Sequence, residues 1–153
     1  MRESGVFIIH EKTFRWTAAV RKYAPDLTPI RTKSLRILSE RVARHRASFL
    51  LIEIPLEQAK NALPAVNRLK VRYPHFRFAV VSPDFATSSP DETDDWIFTL
   101  REFGALHVLV ATREIRDFIP SIRKHFREIR EPHSTFRETI ALRYPWKPCD
   151  REK

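Results

Sequence analysis

Three apolar runs in this chain end in residues that can do chemistry. Val6-Phe7-Ile8-Ile9 runs into His10 and Glu11, Phe49-Leu50-Leu51-Ile52 into Glu53, and Phe78-Ala79-Val80-Val81 into Ser82. A short unbroken apolar run reads as a strand buried on both faces. Open parallel sheets place their sites at the C-terminal ends of such strands. An imidazole, two carboxylates and a hydroxyl are therefore expected along one rim. His10, Glu11 and Glu53 form a conceivable donor set for a transition metal, without a spacing signature behind it; the plainer reading is a solvated polar rim. Lys12 follows Glu11 and can instead neutralise Glu53 as a structural ion pair. Ser82 lacks a Gly-x-Ser-x-Gly elbow and precedes Pro83, so it reads as turn chemistry rather than as a nucleophile. Asp84, Asp91, Glu92, Asp94 and Asp95 lack calcium-loop spacing and read as a polar loop with a helix cap. Gly5 and Gly104 are the only glycines, which leaves no glycine cradle for nucleotide phosphates.

The elements that must position these residues alternate. Helical periodicity over 13–23 puts Trp16, Ala19 or Val20, and Tyr23 at core spacing, and Pro25 stops it. Residues 27–31 form a weak strand interrupted by Pro29. Ser34 can cap a helix to about His45, with Leu35, Leu38 and Val42 inward. A strand over 49–54 follows. The next helix starts near Asn61, carries Leu63, Val66 and Leu69, and tolerates Pro64 in its first turn. A strand over 76–81 leads to a polar loop. Thr93 or Asp94 caps a helix to Phe103, which Gly104 ends. A strand over 106–111 precedes a helix over 113–129, striped by Ile115, Phe118, Ile119, Ile122 and Phe126. Pro120 should kink that helix or delay its start. Five strands alternating with five helices predict an α/β three-layer sandwich with a five-stranded parallel sheet, its strand ends sharing one rim.

Composition bounds the function. A chain of 153 residues fits one α/β domain over 1–129 and a basic, aromatic extension over 130–153. The formal net charge is +9, carried mostly by arginine, which suits planar contacts to carboxylate or phosphate. A single cysteine, Cys149, excludes an internal disulfide and a multi-cysteine zinc site. No apolar run is long enough to span a bilayer, and the first residues lead into a strand rather than a signal-peptide core, so a cytoplasmic protein is expected. Arg36, Arg41 and Arg44 give one helix a basic surface, either solvated or in contact with nucleic-acid phosphates. In the extension, Phe136, Tyr144 and Trp146, with Ile140 and Leu142, are expected to dock on the domain or on a partner subunit, with a short helix capped by Ser134 or Thr135.

The order of these segments resembles the receiver domain of two-component response regulators, a flavodoxin-like fold. The resemblance covers roughly residues 5–127. Val6-Phe7-Ile8-Ile9-His10-Glu11 resembles the first receiver strand, which normally ends in two acids. Phe49-Leu50-Leu51-Ile52-Glu53-Ile54 resembles the third, which ends in the phospho-accepting Asp. Ala79-Val80-Val81-Ser82 resembles the fourth, which ends in Ser or Thr. Gly104 to Thr112 resembles the segment leading to a Lys-Pro pair.

What the resemblance implies is a phosphorylation site degenerate at His10, Glu11, Glu53 and Ala111, with only Ser82 matching: a pseudo-receiver. Glu projects one methylene beyond Asp, the lysine is missing at Ala111, and imidazole is a poor Mg²⁺ ligand. The expected role is non-catalytic: a signalling or scaffolding module, not an enzyme, needing no cofactor and working through protein contacts, with a homodimer among the options. By the same resemblance the fourth helix supplies the interaction surface through Trp96, Phe98 and Arg101. The alternative is a basic nucleic-acid-binding adaptor through Arg36, Arg41 and Arg44.

Overall fold

The structure, a computed structural model, describes residues 5–130. Five strands form one parallel sheet: β1 Val6–His10, β2 Ile30–Thr32, β3 Ser48–Glu53, β4 Phe76–Val81 and β5 His107–Leu109, in the order β2-β1-β3-β4-β5. Five helices connect and follow them: α1 Arg15–Tyr23, α2 Leu35–Arg44, α3 Ala59–Arg72, α4 Pro90–Glu102 and α5 Ile115–Arg130. This is the flavodoxin-like order, and its parallel register brings the ends of β1, β3, β4 and β5 to one rim.

Strand alternation divides the core in two. Ile8, Leu50, Ile52, Phe78 and Val80 face α2, α3 and α4, meeting Leu38, Val42, Leu63, Val66 and Leu100. Phe7, Ile9, Phe49, Leu51 and Val81 face α1 and α5, meeting Trp16, Val20, Phe118, Ile119 and Ile122. The unbroken apolar runs are thus strands covered on both sides.

Several boundaries differ from expectation. β2 begins at Ile30, just beyond Pro29, because proline has no N–H to give the ladder. α4 begins at Pro90, well before Thr93. Ser89 accepts from the Glu92 N–H at 3.3 Å while the Glu92 carboxylate accepts from the Ser89 N–H at 3.2 Å, a complete capping box with proline in the first turn. α3 starts at Ala59 after a 3-10 turn over Leu56–Gln58, so Pro64 lies in the second turn rather than the first. α5 likewise follows a 3-10 turn over Thr112–Glu114 and holds Pro120 within it. Ser34 flanks α2 without a side-chain capping bond. Tyr23 and Leu35, expected inward, are exposed. Gly104 ends α4 at φ 94°, a conformation that favours glycine. Phe136, Ile140, Leu142, Tyr144, Trp146, Cys149 and the short helix expected near Ser134 lie outside the described residues. Among the described residues no helix is long and apolar enough to cross a membrane.

Candidate functional site

The rim of the sheet is built from strand ends whose acids are held by the fold itself. Glu11 follows β1 and is 2% exposed. Its Oε2 accepts the Trp16 N–H at 2.8 Å, and its Oε1 accepts the Thr17 N–H at 3.1 Å and the Thr17 hydroxyl. The carboxylate therefore caps α1, where unpaired N–H groups and the helix dipole favour an anion. Arg31 of β2 stands with its Nε 3.5 Å from Glu11 Oε1, while its Nη2 donates to the carbonyls of Lys12 and Thr13 at 3.0 Å. Both Glu11 oxygens are occupied.

Glu53, at the end of β3, is half-buried. It meets the Lys12 backbone N–H at 3.5 Å, the outer limit of a hydrogen bond. The ion pair expected between the Lys12 ammonium and Glu53 does not form; among the described residues only the Lys12 amide reaches it. Ser82, at the end of β4, turns toward its own loop: it accepts the Asp84 N–H at 3.3 Å. Asp84 reaches across to β3's exit and accepts the Leu56 N–H at 2.6 Å. Ser82 and Asp84 thus tie together the loops after β3 and β4. After β5, Ala111 carries no charge, and the following turn is closed by Glu114, whose carboxylate accepts the Val110 N–H at 3.0 Å. His10 ends β1 with its Nδ1 buried and, among the described residues, unpartnered, and burial lowers its pKa below 6.5.

This donor arrangement does not suit a metal. Among the described residues no three His, Cys, Asp or Glu side chains converge on a common point. Glu11 has no free oxygen, and His10 offers Mg²⁺ a nitrogen where it prefers oxygen. The Mg²⁺ implied by the receiver resemblance therefore does not fit these residues, and neither does a transition metal shared by His10, Glu11 and Glu53.

The other candidate residues fall into separate places. Trp96 and Phe98 lie on opposite sides of α4, as a 200° helical separation requires. Trp96 is half-buried, packed against the core between α3 and α4. Phe98 is 67% exposed, and Arg101 shares its side of the helix. Leu106, just before the edge strand β5, is also exposed. On α2, Arg36 lines a groove with Arg68 and Arg72 of α3. Arg41 and Arg44 point to the other flank, and Arg41 is half-buried. Arg68 and Arg72 carried no sequence signal toward Arg36, because only the packing of α2 on α3 joins them.

Three histidines titrate low. Burial lowers His10, His107 and His125, with Arg101 adding to the effect at His107 and Arg77 at His125. His125 Nε2 lies 3.1 Å from the His75 carbonyl, and His107 Nε2 lies 2.9 Å from the Ser121 hydroxyl. Folded-state pKa values below 6.5 mean that the unfolded chain binds more protons just under that pH. Unfolding free energy is expected to be flat above about pH 7 and to fall as pH drops below about 6.5. Urea denaturation across that window checks it, with His125→Gln flattening part of the slope. Stability that rises toward acid would reject the assignment.

Three solved structures align with this architecture. A response regulator from Thermotoga maritima aligns with TM-score 0.59 at 14% identity, covering 82% of this chain and 98% of that one. The receiver domain of NtrC4 from Aquifex aeolicus aligns with TM-score 0.54 at 15% identity, covering 84% and 98%. A CheY-like protein, tadZ, from Pseudomonas aeruginosa PAO1 aligns with TM-score 0.56 at 11% identity, covering 88% and 98%. No family model and no curated protein matches the sequence. At these identities the likeness establishes a receiver fold.

Proposed function

We propose that this chain is a receiver-like signalling or scaffolding module that works through protein contacts and is not phosphorylated. The observation that carries the reading is Glu11. In this fold the acid after the first strand is engaged by the Trp16 and Thr17 amides and by Arg31, not directed at Glu53. A carboxylate acceptor needs cations positioned on the transferring phosphoryl group. Among the described residues Glu53 meets an amide; Ser82, at the end of the adjoining strand, is tied to Asp84, and Ala111 beyond β5 is uncharged. After incubation with Mg²⁺ and a small phosphodonor, intact mass is expected to be unchanged. A stoichiometric phosphate adduct on Glu53 would overturn the reading.

The output surface we assign is the exposed side of α4 next to β5, with Phe98, Arg101 and Leu106. Phe98→Ala is the clean probe for capture of a partner, since Trp96→Ala would also remove packing from the core. The second reading, a nucleic-acid adaptor, is favoured by the net charge of +9 and by the Arg36, Arg68 and Arg72 groove. It requires binding that weakens steeply as salt rises.

A further inference from the structure

We propose that the layer formed by α2, α3 and α4 is a two-fold self-association surface whose occupant is a second copy of this chain. Three patches of different chemistry lie side by side on it. The first is the groove between α2 and α3, about 490 Å³, with Leu38, Val66 and Leu69 at its floor and the guanidinium groups of Arg36, Arg68 and Arg72 around it. Among the described residues no acidic side chain lines this groove, and α3 contains none over its whole length. Among the described residues Arg36 pairs only with Glu40, at 3.9 Å with both side chains mostly exposed, a pair worth little.

The second patch is the outward stripe of α4. Asp91, Asp95 and Glu102 recur four and then seven residues apart, which places them on one side of the helix, with the exposed Phe98 in the same stripe between Asp95 and Glu102. All three are exposed, and none forms an ion pair or side-chain hydrogen bond among the described residues. The third patch lies between the other two. It is a mainly apolar groove of about 330 Å³ between α3 and α4, lined by Ala59, Leu63, Pro64, Trp96 and Phe103 together with Lys60 and Thr99. Val71 on the same side of α3 is 80% exposed, a β-branched apolar side chain in open solvent.

The sequence of patches is thus basic, apolar, acidic. A two-fold axis parallel to the helices and running along the apolar groove exchanges left and right while preserving height. It sets the α4 stripe of each copy on the α2/α3 groove of the other and closes the apolar groove on itself. An axis across the helices would set basic on basic. The heights agree, because α2, α3 and α4 all start at the same rim and run back against parallel strands. Asp91 and Asp95 near the start of α4 stand level with Arg36 near the start of α2. Glu102 at the end of α4 stands level with Arg68 and Arg72 near the end of α3. Each charged contact is made twice, as an isologous interface requires. Charge complementarity supplies register and the apolar centre supplies the driving force. Nucleic acid fits this face less well: no aromatic side chain lines the basic groove for a base to stack on, and the α4 acids would repel its backbone.

This inference is independent of the phosphorylation reading, and sedimentation velocity on the full chain tests it. The wild type is expected to show a monomer–dimer equilibrium that shifts to monomer as salt rises. Asp95→Arg with Glu102→Arg makes both contacts repulsive, and so does replacing Arg36, Arg68 and Arg72 together by Glu. Each variant should weaken the dimer by about two orders of magnitude. Mixing the two variants sets each new Arg on a new Glu while the other half of the interface keeps its native contacts, and the dimer should return at one-to-one stoichiometry. Val71→Asp, at a position too exposed to unfold the domain, should also give a monomer. A wild type monomeric at every concentration, a dimer indifferent to both variants, or no recovery on mixing overturns the proposal. So does a mass that grows past the dimer, which marks an open head-to-tail chain. Nucleic-acid binding that the Arg36, Arg68 and Arg72 variant abolishes while the sedimentation pattern is unchanged overturns it as well.

Discussion

Glu11→Ala is expected to lower the unfolding free energy by roughly 3 kcal/mol. The side chain is fully buried, and the substitution removes the acceptor of two backbone amides and one hydroxyl at once. Each buried donor left without a partner costs about 1–3 kcal/mol, and a helix cap alone is worth about 1. The desolvation cost of the carboxylate itself offsets part of that sum. Arg31 also loses its counter-charge, though it keeps the Lys12 and Thr13 carbonyls and partial contact with water. Glu11→Gln keeps one accepting oxygen but turns an NH₂ toward a donor and gives up the favourable charge at the helix start, so about half the loss should remain. For a domain of this size the Ala variant should melt several degrees lower, at about 2–4 °C per kcal/mol. Urea denaturation decides the point. A loss under about 1 kcal/mol would mean that water satisfies the α1 amides equally well, and the case for Glu11 as a structural group would fall with it.

The same residue shows how far the sequence was legible. Strands β1, β3 and β4 could be read almost to the residue, because a strand buried on both faces has no choice but a continuous apolar run, and Phe49 to Ile52 is such a run. Their exits, and so the membership of the rim, followed. What each rim residue does was not legible. Glu11 is aimed by the start of α1 folding back over the end of β1, and Ser82 is aimed by Asp84, whose own partner Leu56 is 28 residues away in sequence. Such directions depend on loop paths that periodicity does not encode. Some signals were present and outweighed by others. Ser89-Pro90-Asp91-Glu92 has the capping-box spacing with proline at the first helical position, yet Asp94-Asp95 drew the expected start later. The 200° between Trp96 and Phe98 follows from helical spacing alone, so one could have been assigned to the core and the other to solvent. Tyr23 sat on the core stripe of α1 by spacing, but it is the last residue of that helix, where the chain turns to bury Ala24 instead.

The second large effect lies under the site rather than at it. Phe49 is fully buried at the middle of the α1/α5 face of the sheet. Its ring meets Phe118 edge-on with centroids 5.3 Å apart, Phe7 at 6.4 Å and His125 at 5.6 Å. Phe49→Ala deletes the ring at the junction of β1, β3 and α5, and should cost about 3–5 kcal/mol in transfer and cavity terms. That is a large share of the roughly 5–15 kcal/mol that holds a typical domain folded. Phe49→Leu refills most of the space and should cost about 1–1.5 kcal/mol. The histidine supplies a readout that separates this packing from general destabilisation. His125 titrates low first of all because it is buried, and the Phe49 ring is part of what buries it. Opening the cavity admits water to the imidazole, so its pKa should move back toward 6.5 in the Ala variant and less in the Leu variant. Proton-detected titration of the His125 ring measures the shift, and the Leu variant carries the measurement if the Ala variant does not fold. An Ala variant that loses under about 1.5 kcal/mol, or a His125 that titrates as in the wild type in both, would show that the ring does not shield α5. The anchoring of α5 against β3 would then have to come from Ile115, Ile119 and Ile122 alone.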